Sequence, residues 1–241
     1  MSINYYHNEA LETIARKIIA MYNPNLLYSP SLIPVEDIIE KSYGLTLEYQ
    51  YIRKNGRILG ETIFEDAEVP IYEHGENEGY KLIPVKAGTI IIDASLLNEQ
   101  SNSGRLRFTC AHELAHWVID KNYFTQLGET ANLSSKTMNA EFSGDFLDYN
   151  VSRQKPTAEP GDFSAAKTNK AKIIRSSDTG AAIERQANRM ASRILMPKCT
   201  VKPAFYEARK NTANTASYLA ELYGVSKQAM VIRLNEMGLL R

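Results

Sequence analysis

Cysteine is nearly missing from this chain. Only Cys110 and Cys199 occur in 241 residues, which excludes a disulfide framework. No apolar run approaches the roughly 18–20 residues that a membrane-crossing helix needs. Net charge is missing too. Lys and Arg number 28, as do Asp and Glu, so nothing global draws the chain to nucleic acid or an anionic membrane. Residues Met1 to Ala10 are polar and lack the basic-then-apolar layout of a secretory signal. Internal repeats and low-complexity tracts are absent. These absences point to a reducing, cytoplasmic setting. The apolar content of 44% and charged content of 23% are those of an ordinary globular protein. The length suffices for one large domain or two small ones around a well-buried core.

Histidine is also scarce, with four in the chain, yet two stand in one run: His112-Glu113-Leu114-Ala115-His116. This is the HExxH pattern. Two imidazoles four residues apart share one face of a helix and can reach a single zinc ion, while the intervening Glu113 points at the water the metal holds. The flanks support a helix. Ser103 can cap its start, Leu106, Cys110, Leu114, Trp117 and Val118 recur at helical spacing, and no Gly or Pro lies between Arg105 and Asp120. Cys110 reads as a neutral core thiol rather than a ligand. His74, among Glu73, Glu76 and Glu78, reads as a surface loop residue.

Upstream, Glu9 to Tyr22 is an amphipathic helix broken at Asn23-Pro24-Asn25, and Pro34 to Tyr43 is a second helix with Gly44 just beyond it. Strand signals follow at Leu45 to Ile52, Ile58 to Phe64, Tyr80 to Val85 and Thr89 to Asp93. Asn55-Gly56 joins the first two as a hairpin. A small antiparallel sheet is therefore expected before the motif helix. Lys121 to Gly180 is rich in Ser, Thr, Asn, Lys and Gly, and is interrupted by Pro156 and Pro160. It reads as a long solvated insertion with the composition of a mobile segment, in which Glu141 to Tyr149 has enough aromatic content to dock locally. Ile183 to Met196 is again a strong helix, stopped by Pro197, and short helices run to the end.

A catalytic zinc usually takes three protein ligands and keeps one open position. The metzincin extension is excluded, because its Gly and His positions hold Ile119 and Asn122. Glu184 is a candidate on a later helix. It stands four residues before Asn188, which can hydrogen-bond a ligating imidazole, and small Ala187 lets two helices approach. Glu141, Asp145 and Asp148 are rivals, acidic and beside aromatic residues. The other reading of Glu184 is a carboxylate favoured by a helix N-terminus.

Several ordered motifs carry a resemblance. Arg107-Phe108-Thr109-Cys110-Ala111 leading into His112–His116 is similar to the core of the ImmA/IrrE family of zinc peptidases. So are Gly60-Glu61-Thr62-Ile63-Phe64, the run Glu184-Arg185-Gln186-Ala187-Asn188 that ends in Leu195-Met196-Pro197, and the terminal segment Leu219 to Met230. The resemblance implies a zincin-like, gluzincin-type site with His112, His116 and Glu184 as metal ligands and Glu113 as general base. It also implies an intracellular endopeptidase that cleaves a helix-turn-helix transcriptional repressor, derepressing a mobile element or a stress response. Three residues or segments depart from the family pattern. The 121–180 segment is an insertion, Met190 replaces Phe, and Ala115 replaces Gly.

The expected fold class is α+β. A metallopeptidase domain spans 1–200 and a C-terminal helical segment resembling a helix-turn-helix spans 201–241. In that segment Lys227, Gln228 and Arg233 would be the DNA contacts. The second helix has few basic residues, so packing or substrate recognition is the stronger reading and direct DNA binding the weaker. The cofactor is expected to be Zn2+, with Mn2+ or Fe2+ acceptable to a His2Glu set, and the partner a protein substrate. Two other functions stay open: a non-proteolytic repressor-binding protein, and a DNA-binding regulator with a structural metal.

Overall fold

The structure is a computed structural model that describes residues 4–52, 58–72, 79–98, 103–125, 137–141 and 177–240. Helix α1 (Asn8–Tyr22) buries the stripe Leu11, Ala15, Ile18 and Ile19 that its spacing promised. Pro24, which has no N–H to continue the ladder, ends it. Helix α2 begins at Val35–Asp37 and widens into a π turn over Ile38–Ser42.

Among the described residues six strands follow: β1 (Thr46–Gln50), β2 (Ile58–Ile63), β3 (Ala67–Tyr72), β4 (Tyr80–Val85), β5 (Thr89–Asp93) and β6 (Thr137–Glu141). The main sheet has the order β1-β5-β2-β6, and β3 and β4 form a separate antiparallel ribbon. The expectation of an antiparallel sheet is corrected here. β1 runs parallel to β5, while β2 is antiparallel to both β5 and β6. The expected β1–β2 hairpin is corrected with it, since β5 lies between the two strands. Asn55-Gly56 lies outside the described residues.

The physical reason is in Thr89-Ile90-Ile91-Ile92-Asp93. Every residue of this strand is buried, so it needs a layer on each face and a neighbour on each edge. Ile90 and Ile92 join the helical core with Ala111 and Leu114. Ile91 points the other way, to Ile63, Val69 and Val85. A local turn signal cannot compete with that demand. β3 is absent from the sequence reading. Pro70 argues against a strand, but in a two-stranded ribbon one edge needs no donor.

Helix α3 (Ser103–Ala115) carries the motif, with Ser103 its first residue rather than its cap, and passes into a π turn over His116–Asp120. Helix α4 (Ser177–Leu195) packs along it. Helices α5 (Lys198–Asn211), α6 (Thr215–Tyr223) and α7 (Lys227–Glu236) complete the chain. The α6–α7 turn follows the expected chemistry. Gly224 takes φ 61°, and Ser226 caps α7 by accepting from Ala229 N at 3.1 Å. A Cβ at Gly224 would also meet Leu32 Cδ1 at 2.8 Å. The turn is anchored to the motif helix by Arg107, which donates to Gly224 O at 3.3 Å and Ile33 O at 2.8 Å.

Arg233 is corrected as a candidate DNA contact. It is 1% exposed, donates to Met196 O at 3.0 Å, and pairs with Glu12. Arg193, 2% exposed, lies beside the same Glu12 at 3.5 Å and donates to Asn8 Oδ1 at 2.9 Å. Glu12 of α1 thus shares with Glu236, which lies 3.3 Å from Arg193 and 3.5 Å from Arg233, the neutralising of guanidinium groups from α4 and α7. Among the described residues, no helix is long and apolar enough to cross a membrane.

Glu12→Ala would leave Arg193 and Arg233 to share the carboxylate of Glu236. The loss should fall below the roughly 3–5 kcal/mol of a buried charge left with no partner, read as a lower midpoint in chemical denaturation. Breaking the exposed Lys210–Glu207 pair should change stability by less than about 1 kcal/mol in the same assay.

Candidate functional site

Two helices bring the site together. On α3, Ala111 and Ala115 are fully buried; on α4, so is Ala187. Small side chains at the contact let the helix backbones come close, and the longer side chains then meet between them. From α3 and its π turn come His112 and His116. From α4, one turn apart on one face, come Glu184 and Asn188.

The two imidazoles are fixed from behind. His112 Nδ1 lies 2.9 Å from Asn188 Oδ1, and His116 Nδ1 lies 2.9 Å from Asp120 Oδ2. A carboxylate only accepts, so Nδ1 of His116 is the donor and its Nε2 faces the other way. The Nε2 atoms converge to 2.9 Å from each other. Glu184 reaches them from the second helix, Oε2 at 3.2 Å from His112 Nε2 and Oε1 at 3.5 Å from His116 Nε2.

One ligand atom from each of His112, His116 and Glu184 lies within 4.8 Å of the others, the only such group of three or more His, Cys, Asp or Glu among the described residues. Two neutral nitrogens and one carboxylate oxygen are a donor set suited to a divalent transition ion. The electrostatics agree. Burial pulls the His116 imidazole down, but Glu184 and Asp120 more than reverse this and raise it well above its ordinary value. Burial likewise pushes Glu184 up, and the two imidazoles more than reverse it, holding that carboxyl far below the usual range. A strong negative potential at converging nitrogens favours a cation. The Glu184 side chain is 31% exposed, so the cluster opens to solvent on that side.

Glu113 packs against strand β2. It is 0% exposed. Thr62 Oγ1 donates to its Oε2 at 2.7 Å. Its Oε1 is buried with no hydrogen-bond partner. Gly60 supplies the room, since a Cβ there would stand 2.6 Å from that oxygen. Burial pushes the Glu113 carboxyl up, toward stronger basicity. A buried carboxylate with one oxygen fixed and one free is equipped to take a proton.

Thus the structure brings together all four predicted site residues and the predicted orienting Asn188. Cys110 is buried, and burial pushes its thiol up, so it stays a neutral core group. Of the rival ligands, Glu141 ends β6, and Asp145 and Asp148 lie outside the described residues, as does His74. Three contributors are absent from the sequence reading. Asp120 follows His116 at the same four-residue interval that links the histidines, a signal that was present. Gly60 and Thr62 alternate along β2 and so share a face, but nothing local said that this face meets Glu113.

Residues 167–235 match the profile of a peptidase family described as the IrrE N-terminal-like domain. This match supports a peptidase and a metallopeptidase-like role. It supports membership of the ImmA/IrrE family, as the sequence motifs implied. The matched stretch holds Glu184, Asn188 and helices α5 and α6; the HExxH run precedes it. Comparison with curated proteins finds no match.

Thr62→Val would keep the shape of the side chain and remove the hydroxyl that donates to Glu113 Oε2. We expect a loss of about 1–3 kcal/mol in guanidinium denaturation. An unchanged midpoint would mean that the hydroxyl does not hold the carboxylate.

Proposed function

We propose that this protein is a zinc-dependent endopeptidase that cuts a helix-turn-helix transcriptional repressor in the cytoplasm, derepressing a mobile element or a stress response. The observation that carries the proposal is the meeting of His112 Nε2, His116 Nε2 and a Glu184 oxygen beside a buried Glu113 with a free oxygen. The peptidase family match supports it, and the named substrate class follows the motif resemblance.

His112, His116 and Glu184 would hold the ion, with Asn188 and Asp120 orienting the imidazoles. When bound, such an ion polarises the scissile carbonyl and brings the pKa of a water molecule to about 7. Glu113 would serve as the base that takes a proton from that water and returns it to the departing amine. Thr62 keeps the carboxylate from rotating between the two transfers. Zn2+ suits the donor set best, and Mn2+ or Fe2+ can replace it.

The test is to mix the purified protein with a helix-turn-helix repressor encoded beside its gene, plus zinc or manganese, and look for fragments on a gel. Glu113→Gln should retain the metal and slow cleavage by about 10²–10⁴-fold. Wild-type rate in that variant would remove Glu113 as base. Glu184→Ala should lower the zinc content of the purified protein, and unchanged stoichiometry would move the third ligand elsewhere. Asn188→Ala should weaken zinc by about 10–100-fold in chelator competition. Stable complex formation with the repressor and no fragments would favour sequestration over cutting.

A further inference from the structure

Strand β2 has a partner on each edge of the main sheet. Its inner edge pairs with β5, Gly60 opposite Ile92 and Thr62 opposite Ile90. Its outer edge pairs with β6, Gly60 opposite Ala140 and Thr62 opposite Met138. Gly60 and Thr62 are the residues that touch Glu113. A chain laid on the outer edge therefore runs one strand spacing, about 4.8 Å, from the residues that hold the candidate base.

β6 is not needed to complete the fold. The sheet β1-β5-β2 already buries Ile90 and Ile92 on the helical side and Ile91 on the other. β6 comes from within the 121–180 segment, which departs from the family pattern. An extended peptide that adds to this sheet beside Glu113 has a single edge to use, because β5 holds the other. The far edge, on β1, is two strands away.

We infer that the outer edge of β2 is the peptide-pairing surface of the site, and that β6 fills it as an intramolecular stand-in which must leave before a substrate strand can enter. The inference rests on the peptidase reading for its purpose but not for its test. A tethered strand competes at an effective concentration in the millimolar range, so a free peptide is held off until β6 is weakened.

The probe is a fluorescein-labelled peptide of residues 134–144, which contains β6. It is titrated against the full-length chain in EDTA, so that no cutting intervenes. Wild type is compared with Met138→Pro/Asn139→Pro. Two consecutive prolines remove a ladder donor whichever way the antiparallel alternation runs. The double variant should bind the peptide at least about tenfold more tightly than wild type by fluorescence anisotropy. Without peptide, its β2 amides over 60–63 should exchange at least about tenfold faster, with α3 protection unchanged. Equal peptide affinity in the two proteins, or unchanged β2 exchange, overturns the inference. Should the double variant lose α3 protection, Met138→Pro and Asn139→Pro are compared singly, one of which must remove a donor. If the edge opens as expected but zinc-loaded protein cuts no polypeptide, the peptidase reading falls and the edge assignment stands.

Discussion

Four ionisable side chains, His112, Glu113, His116 and Glu184, are gathered between two helices and a strand, and the rest of the structure answers to the cost of that gathering. Glu113 and His116 are completely removed from solvent. A charge taken from water is destabilising unless it is paired or hydrogen-bonded. Asn188 and Asp120 take up the outward imidazole nitrogens, and Thr62 takes up one oxygen of Glu113. The oxygen left unsatisfied, Glu113 Oε1, faces a strand position without a side chain. Such a pocket is unstable in isolation, and its geometry persists only because the α3–α4 contact and the β2 edge are held by apolar packing around it.

That packing extends to the C-terminus. Ile90, Ala111, Ala187, Val201, Leu219 and Met230 belong to one hydrophobic cluster. Arg107 binds the carbonyl at the α6–α7 turn five residues before His112, so the start of the motif helix and the helical hairpin cannot move independently. Glu12 does the same for α4 and α7 through Arg193 and Arg233. A hairpin with the outline of a DNA-binding element is thereby committed, on one side, to holding the helices that carry the candidate ligands. Lys227 and Gln228 remain exposed on the other side, a surface with too little basic charge to neutralise many phosphates.

Legibility in the sequence followed the range of each interaction. Helix α1, the motif helix and α4 were readable because their stripes repeat every three or four residues. Glu184 and Asn188 were readable because one helical turn puts them on one face. Strand partners were not, since pairing is decided by which strand must be buried on both faces. The triple isoleucine of β5 contains that fact, yet the Asn55-Gly56 turn signal pulled the reading toward a hairpin. Thr62 and Gly60 were hidden for the same reason. Their part in the site depends on a sheet-to-helix contact that no spacing along the chain encodes.

The candidate ligands are divided between two segments, with the 121–180 stretch between them. Lengthening a surface connection costs little, since each doubling of a flexible loop adds only about 0.6 kcal/mol. An insertion there leaves α3 and α4 free to pack as before, because residues within the helices, Ala111, Ala115 and Ala187 among them, belong to their shared hydrophobic core. Within that stretch lies β6, which pairs with the outer edge of β2. A segment tethered at that point meets this edge at high local concentration whatever its wider sequence. The site that tolerates an insertion is thus also the place where an inserted strand has most influence on what can enter.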